Sequence, residues 1–124
     1  MNLLLDTQAF LWFESGDSRL TTLARQAIQD PANTKFISLA TYWEIAIKDS
    51  LGKLELRVSF DDLFDLKGYS RLDIIGEHLK VLRTLPMLHR DPFDRLLIAQ
   101  ALSEGFDVVG SDSQFDLYGV KKMW

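Results

Sequence analysis

Cysteine is absent from the 124 residues. That excludes disulfide scaffolds, thiol nucleophiles and cysteine-ligated zinc or iron–sulfur centres. Histidine is scarce: His78 and His89 are the only two, and they cannot make a His-rich metal site alone. Proline (3) and glycine (7) are few and fall where elements should change. No internal repeat, low-complexity tract or long linker is present. No apolar run approaches the ~20 residues needed to span a bilayer, so no membrane segment is expected. The start, MNLLLDTQAF, lacks a charged n-region and meets an Asp after three Leu. No secretory signal is expected, and the cytoplasm is the expected location. Basic excess is also missing: 14 Lys and Arg face 18 Asp and Glu, a formal charge of −4. That argues against a sequence-independent nucleic-acid coat with a wholly basic surface. It leaves room for a local acidic site ringed by bases.

What is present is ordinary soluble composition, with 47% hydrophobic and 26% charged residues. The length predicts one domain, 1–124, able to bury roughly two-thirds of its unfolded surface without staples. Apolar runs predict strands at Asn2–Leu5, Lys35–Ser38, Gly68–Leu72, Asp107–Gly110 and Val120–Trp124. Helices are expected at Thr7–Phe13, Leu20–Asp30, Leu39–Leu51, Ser59–Leu66, Ile74–Leu82 and Asp91–Glu104, with a single turn at Phe115–Tyr118. Asp91-Pro92 reads as N-cap and first helical residue, and Gly105 as the stop. Phe93, Leu96, Leu97, Ala101 and Leu102 recur on one face of that helix and should pack on the sheet. Strands alternating with helices imply an α/β fold with a mostly parallel sheet covered on both faces, a three-layer α/β/α sandwich of four to five short strands.

Ligands bind such folds beyond the carboxyl ends of the strands. Four acids are expected there: Asp6 after the first strand, Glu44 in the helix after the second, Asp94 in the first turn of the clearest helix, and Asp112 just past the fourth strand. Each has a plain explanation. Acids suit helix N-termini, so Asp6, Asp91 and Asp112 could be caps. Thr41-x-x-Glu44 fits a capping box, and Glu44 could pair with Lys48 at i, i+4. Together they are harder to explain away. Two unit charges ~4 Å apart repel by a few kcal/mol at an intermediate dielectric. Several in one crevice call for a cation or for protonation. Oxygen-only ligands suit Mg²⁺ or Mn²⁺, and phosphodiester hydrolysis is the chemistry that uses such a site. Arg90, Arg95 and Lys48 lie close in sequence to the acids and are expected to hold the phosphates of such a substrate, the plain alternative being solvated charges that offset the acids. His89 is read as a loop residue.

LLLDT, YWEIAIKDSLGKL, HRDPFDRLLIAQA and VVGSDSQFDLYGV, in this order along almost the whole chain, resemble the PIN-domain ribonucleases. More narrowly they resemble the VapC-type toxins of bacterial toxin–antitoxin pairs. The resemblance implies an α/β/α fold, a Mg²⁺- or Mn²⁺-dependent endoribonuclease, a homodimer, and a small antitoxin partner that blocks the site. It places the acidic site at Asp6, Glu44, Asp94 and Asp112, with Asp6 and Asp94 as principal metal ligands and Glu44 and Asp112 completing the site; Asp91 is read as a cap first and an auxiliary acid second, and Ser111, beside Gly110, as an auxiliary hydroxyl. This sequence departs from the resemblance at Gln8, where histidine is usual, and at Gly110, where threonine is common. Two other readings compete. One is a non-catalytic PIN-like binding domain. The other is a phosphoacceptor receiver domain, which wants a second acid beside Asp6 and a late site lysine.

Overall fold

The computed structural model describes residues 1–124. Its first strand, β1 (Asn2–Leu5), is followed by helices α1 (Thr7–Ser15) and α2 (Thr22–Gln29), strand β2 (Thr34–Ser38), and helices α3 (Leu39–Ser50) and α4 (Phe60–Phe64). Then come β3 (Ser70–Leu72), α5 (Gly76–Thr84), α6 (Pro92–Glu104), β4 (Asp107–Val109), a 3₁₀ turn (Ser113–Tyr118) and β5 (Lys122–Met123). All five strands are parallel, in the order β3-β2-β1-β4-β5. The expected architecture is therefore observed. No helix is long and apolar enough to cross a membrane.

The strand order corrects one competing reading. Receiver domains carry the order 2-1-3-4-5, whereas here the first strand is central and the third lies at an edge. The chain winds outward from β1 through β2 to β3, then returns to the other side of β1 as β4. The reversal opens a crevice at the carboxyl ends of β1 and β4.

Alternation along β1 feeds both layers. Leu3 and Leu5 join Phe10, Ala24, Ile28, Tyr42, Ile45 and Leu63 in one core, drawn from α1, α2, α3 and α4. Leu4 points the other way, with Val108, Leu96, Leu97, Ile98, Ala101 and Phe115. Helix α6 departs from the one-sided pattern expected of it. Residues Arg95–Ala101 are all buried, while Leu102 is 39% exposed. Neighbours α3 and α5 press on α6 in addition to the sheet, so the helix is enclosed on most sides.

Local signals set the boundaries. Thr21, not Leu20, begins the second helix, its hydroxyl accepting from Ala24 N at 3.1 Å. Ser59 Oγ accepts from Asp62 N and starts α4 as expected. Asp91 Oδ1 accepts from Phe93 N and Asp94 N at 2.9 and 3.0 Å, with Pro92 as the first helical residue. Gly105 ends α6 in the left-handed conformation at φ 71°.

Candidate metal centre

Asp6 is both cap and pocket wall. Its Oδ1 accepts from Ala9 N at 2.7 Å, closing the first turn of α1. No other hydrogen bond reaches the carboxylate, which is 7% exposed. Burial is the chief cause that raises its pKa from 3.8 to about 7. The Ala9 N–H opposes the rise, and the charges of Asp94, Asp112 and Glu44 reinforce it. Asp94, at the N-terminal turn of α6, is also held above the usual carboxylate range. Burial is again the largest cause, outweighing the hydrogen bond from His89.

Asp6, Glu44, Asp94 and Asp112 line one pocket, together with Asp91, Ser111, Thr7, Gln8 and Lys48. The four acids expected at the sheet edge are thus brought together. Asp6 and Asp112 follow strands β1 and β4, Asp94 lies in the first turn of α6, and Glu44 comes from within α3. Asp112 Oδ1 caps the 3₁₀ turn through Gln114 N at 2.9 Å, which fixes its backbone.

Glu44 is placed by partners that correct its capping-box reading. The N-cap of α3 is Ser38, whose hydroxyl accepts from Ala40 N. Thr41 and Glu44 therefore lie inside the helix. Glu44 is 8% exposed. Its Oε1 accepts from the Thr7 hydroxyl at 2.7 Å, and its Oε2 is 2.9 Å from Lys48 Nζ. Thr7 lies 3.2 Å from the Thr41 hydroxyl as well. This threonine was not singled out from the sequence. Its signal was the LLLDT run, which sets a hydroxyl directly after the first acid.

The bases divide. Lys48 lines the acidic pocket. Arg90 is exposed, makes no ion pair, and lines a separate hollow with Arg83 and Met87. Arg95 departs from its expected phosphate contact. It is 9% exposed, and its guanidinium donates to Pro86 O (3.0 Å), Leu85 O (3.4 Å) and the Tyr118 hydroxyl (3.3 Å). It is a strut under the loop before α6.

That loop carries the residue that sequence reasoning missed. His89 Nε2 lies 2.8 Å from Asp94 Oδ2 and 3.7 Å from Asp112 Oδ2. The three side chains form a cluster whose donor atoms all lie within 4.8 Å of one another. Nothing in the periodicity marks a loop histidine as a site residue; HRD next to a helix start was the only hint.

The arrangement fits a divalent cation. Oxygen donors converge, and the most buried one has a single protein hydrogen bond. A β-carbon at Gly110 would stand 2.4 Å from Asp6 Oδ2. Room for that carboxylate exists because the residue facing it is glycine.

Comparisons with known proteins bear on the fold and the family. A family model described as PIN domain matches residues 3–121. Two solved structures share the fold across nearly the whole chain. One is VapBC2 from Rickettsia felis, crystallised with a DNA fragment from its promoter: 18% identity, all of both chains covered, TM-score 0.71. The other is VapBC-1 from nontypeable Haemophilus influenzae: 16% identity, 98% of this chain and 96% of that one, TM-score 0.70. No curated protein matches the sequence.

Proposed function

This chain belongs to the PIN-domain family, and we propose that it is a Mg²⁺- or Mn²⁺-dependent endoribonuclease acting as the toxin of a toxin–antitoxin pair. The convergence of Asp6, Glu44, Asp94 and Asp112 in one crevice carries the reading. An ion bound by these acids would supply water activation and would neutralise charge on the scissile phosphate. The chain's own residues do the rest. The Asp6 carboxylate is held by the Ala9 N–H at the start of α1 and the Asp94 carboxylate by the His89 ring at the start of α6, so both are preorganised. Thr7 and Lys48 orient Glu44. Asp91 fixes the turn that presents Asp94. Ser111 adds a hydroxyl at the rim. In this reading Lys48, at the acidic pocket, and the exposed Arg90 meet RNA phosphates.

Two surfaces support the proposed partners. A groove lined by Leu11, Trp12, Leu54, Leu56, Val58 and Leu66 adjoins the acidic pocket and shares Gln8, Leu11 and Leu54 with it. It suits an apolar antitoxin segment, and the two structures of like fold are VapBC complexes. Trp43 and Ile47 on α3, and Leu51 at its C-terminal cap, recur every four residues and stay 56%, 38% and 60% exposed. Such a stripe suits a homodimer contact.

The test is cleavage of total cellular RNA by the antitoxin-free chain with Mg²⁺ or Mn²⁺. Discrete cuts abolished by EDTA, and reduced at least about 100-fold in Asp94→Asn, are expected. Folded protein that cuts no RNA with either ion would favour the non-catalytic binding domain instead.

A further inference from the structure

We propose that His89 is a direct ligand, through Nε2, of the divalent ion held by these acids, and that this nitrogen shifts the site's preference from Mg²⁺ toward Mn²⁺. The inference rests on the metal-dependent reading above.

Spacing is the first argument. Nε2 stands 2.8 Å from Asp94 Oδ2 and 3.7 Å from Asp112 Oδ2. Ligands at right angles about an ion with bonds of about 2.1 Å lie about 3.0 Å apart. The His89–Asp94 pair matches neighbouring positions on one ion, and Asp112 stands close enough to share it.

The ring's free side is the second. Nδ1 of His89 has no protein hydrogen bond; only Nε2 is engaged. The ring hydrogen can sit on Nδ1, leaving the Nε2 lone pair for a cation.

The third is that the loop is built to hold the ring there. The Tyr118 hydroxyl accepts from Leu88 N (3.0 Å) and His89 N (2.8 Å) and donates to Pro86 O (2.8 Å). Arg95 ties Leu85 and Pro86 from below. Five bonds on one short segment fix the backbone that presents His89.

Ligand chemistry then sets the preference. Mg²⁺ takes oxygen and keeps its waters, whereas imidazole suits first-row transition ions. Replacing one oxygen by nitrogen penalises Mg²⁺ more than Mn²⁺.

The test reads metal binding, without catalysis. The full chain is titrated separately with Mn²⁺ and Mg²⁺ by calorimetry, and the Mn²⁺ complex is examined by pulsed electron paramagnetic resonance. Coupling to one directly bound imidazole ¹⁴N is expected. His78, the only other histidine, is fully buried beside Glu104, so the signal reports His89. In His89→Asn the coupling should vanish and Mn²⁺ affinity fall about 10-fold, with Mg²⁺ affinity changing less than about 3-fold. The wild-type spectrum needs no variant and stands even if the substitution disturbs folding. Mn²⁺ bound without ¹⁴N coupling would overturn the proposal and confine His89 to a hydrogen bond on Asp94. Equal losses of both ions in His89→Asn would overturn the preference. Failure of the underlying reading looks different: neither ion would bind wild-type protein.

Discussion

Asp6 and Gly110 meet at the carboxyl ends of two adjacent strands, so close that a β-carbon on the glycine would stand 2.4 Å from Oδ2 and 2.8 Å from Cγ of the aspartate. The backbones are tied at the same point by Asp6 N to Val109 O at 3.0 Å. Neither side can retreat easily, because Phe115 closes the other flank at 3.1 Å from that β-carbon. The VapC-type pattern leads one to expect threonine at this position. Here any side chain would displace the most buried acid of the site. The glycine is a condition for the carboxylate's position.

Gly110→Ala should therefore act through Asp6. Overpacking at so tight a contact costs about 1–3 kcal/mol. Thermal melts should show a lower Tm, and calorimetry a divalent-ion affinity reduced about 10-fold. An alanine variant that binds Mn²⁺ as tightly as wild type would show that Asp6 moves without consequence.

Asp6 also makes a pH prediction. Its pKa is 3.8 unfolded and about 7 folded. The folded state thus favours the protonated acid. Below pH 3.8 the group is neutral in both states and carries no charge penalty. Between pH 3.8 and 7 it costs stability progressively, and above 7 the loss levels off. At 1.36 kcal/mol per unit the full cost in metal-free protein is roughly 4 kcal/mol. Asp6→Asn keeps the cap, since an amide oxygen accepts from Ala9 N as well as a carboxylate does. It should be more stable than metal-free wild type at pH 8, with the gap narrowing toward pH 5. Saturating Mn²⁺ should reverse the order by stabilising wild type alone. Identical urea midpoints at pH 8 without metal would contradict the burial argument.

Legibility in the sequence followed the range of the interactions. Strand β1 and helix α6 were readable because an apolar run and an Asp-Pro start are local signals. The four acids were readable as a set because Asp6 and Asp112 follow predicted strands, Asp94 opens a predicted helix and Glu44 lies in the helix after the second strand. The Thr41–Glu44 capping box was misread for a local reason. Ser38 had already begun the helix three residues earlier. Arg95 was assigned to phosphate contact because a base in the first turn of a helix usually faces outward. Its true partners, the carbonyls of Leu85 and Pro86, lie in a loop whose path no periodicity records. His89 was hidden for the same reason. Its position depends on Tyr118, which is 29 residues away in sequence.

Gln100 offers a stability test away from the acids. It is fully buried in α6. Its Oε1 accepts from the Ser38 hydroxyl, and its Nε2 donates to Asp73 O at 3.3 Å and lies 3.3 Å from His78 Nδ1. The amide thus ties α6 to the end of β2 and to the entry of α5. Gln100→Leu keeps the volume but leaves those polar groups without their partner. A loss of about 2–4 kcal/mol is expected by urea denaturation, with the slope unchanged. A loss under about 0.5 kcal/mol would mean that water replaces the amide.

Tyr118 decides whether the loop before α6 is rigid. Its hydroxyl bonds Pro86, Leu88 and His89 at once, while Arg95 reaches the same hydroxyl from the helix. Tyr118→Phe removes one oxygen and frees two backbone N–H groups. The loop is partly exposed, so water recovers some of the loss. About 1–2 kcal/mol of stability should disappear. The sharper effect is local. Hydrogen exchange at the Leu88 and His89 amides should accelerate at least about 10-fold, with core amides such as Leu97 changing only by the global loss. Arg95→Lys should loosen the loop too, because an ammonium cannot span Leu85 O, Pro86 O and Tyr118 Oη as the planar fork does. If both variants leave the Leu88 and His89 amides as slow as wild type, the turn after β4 is not what holds His89 against Asp94.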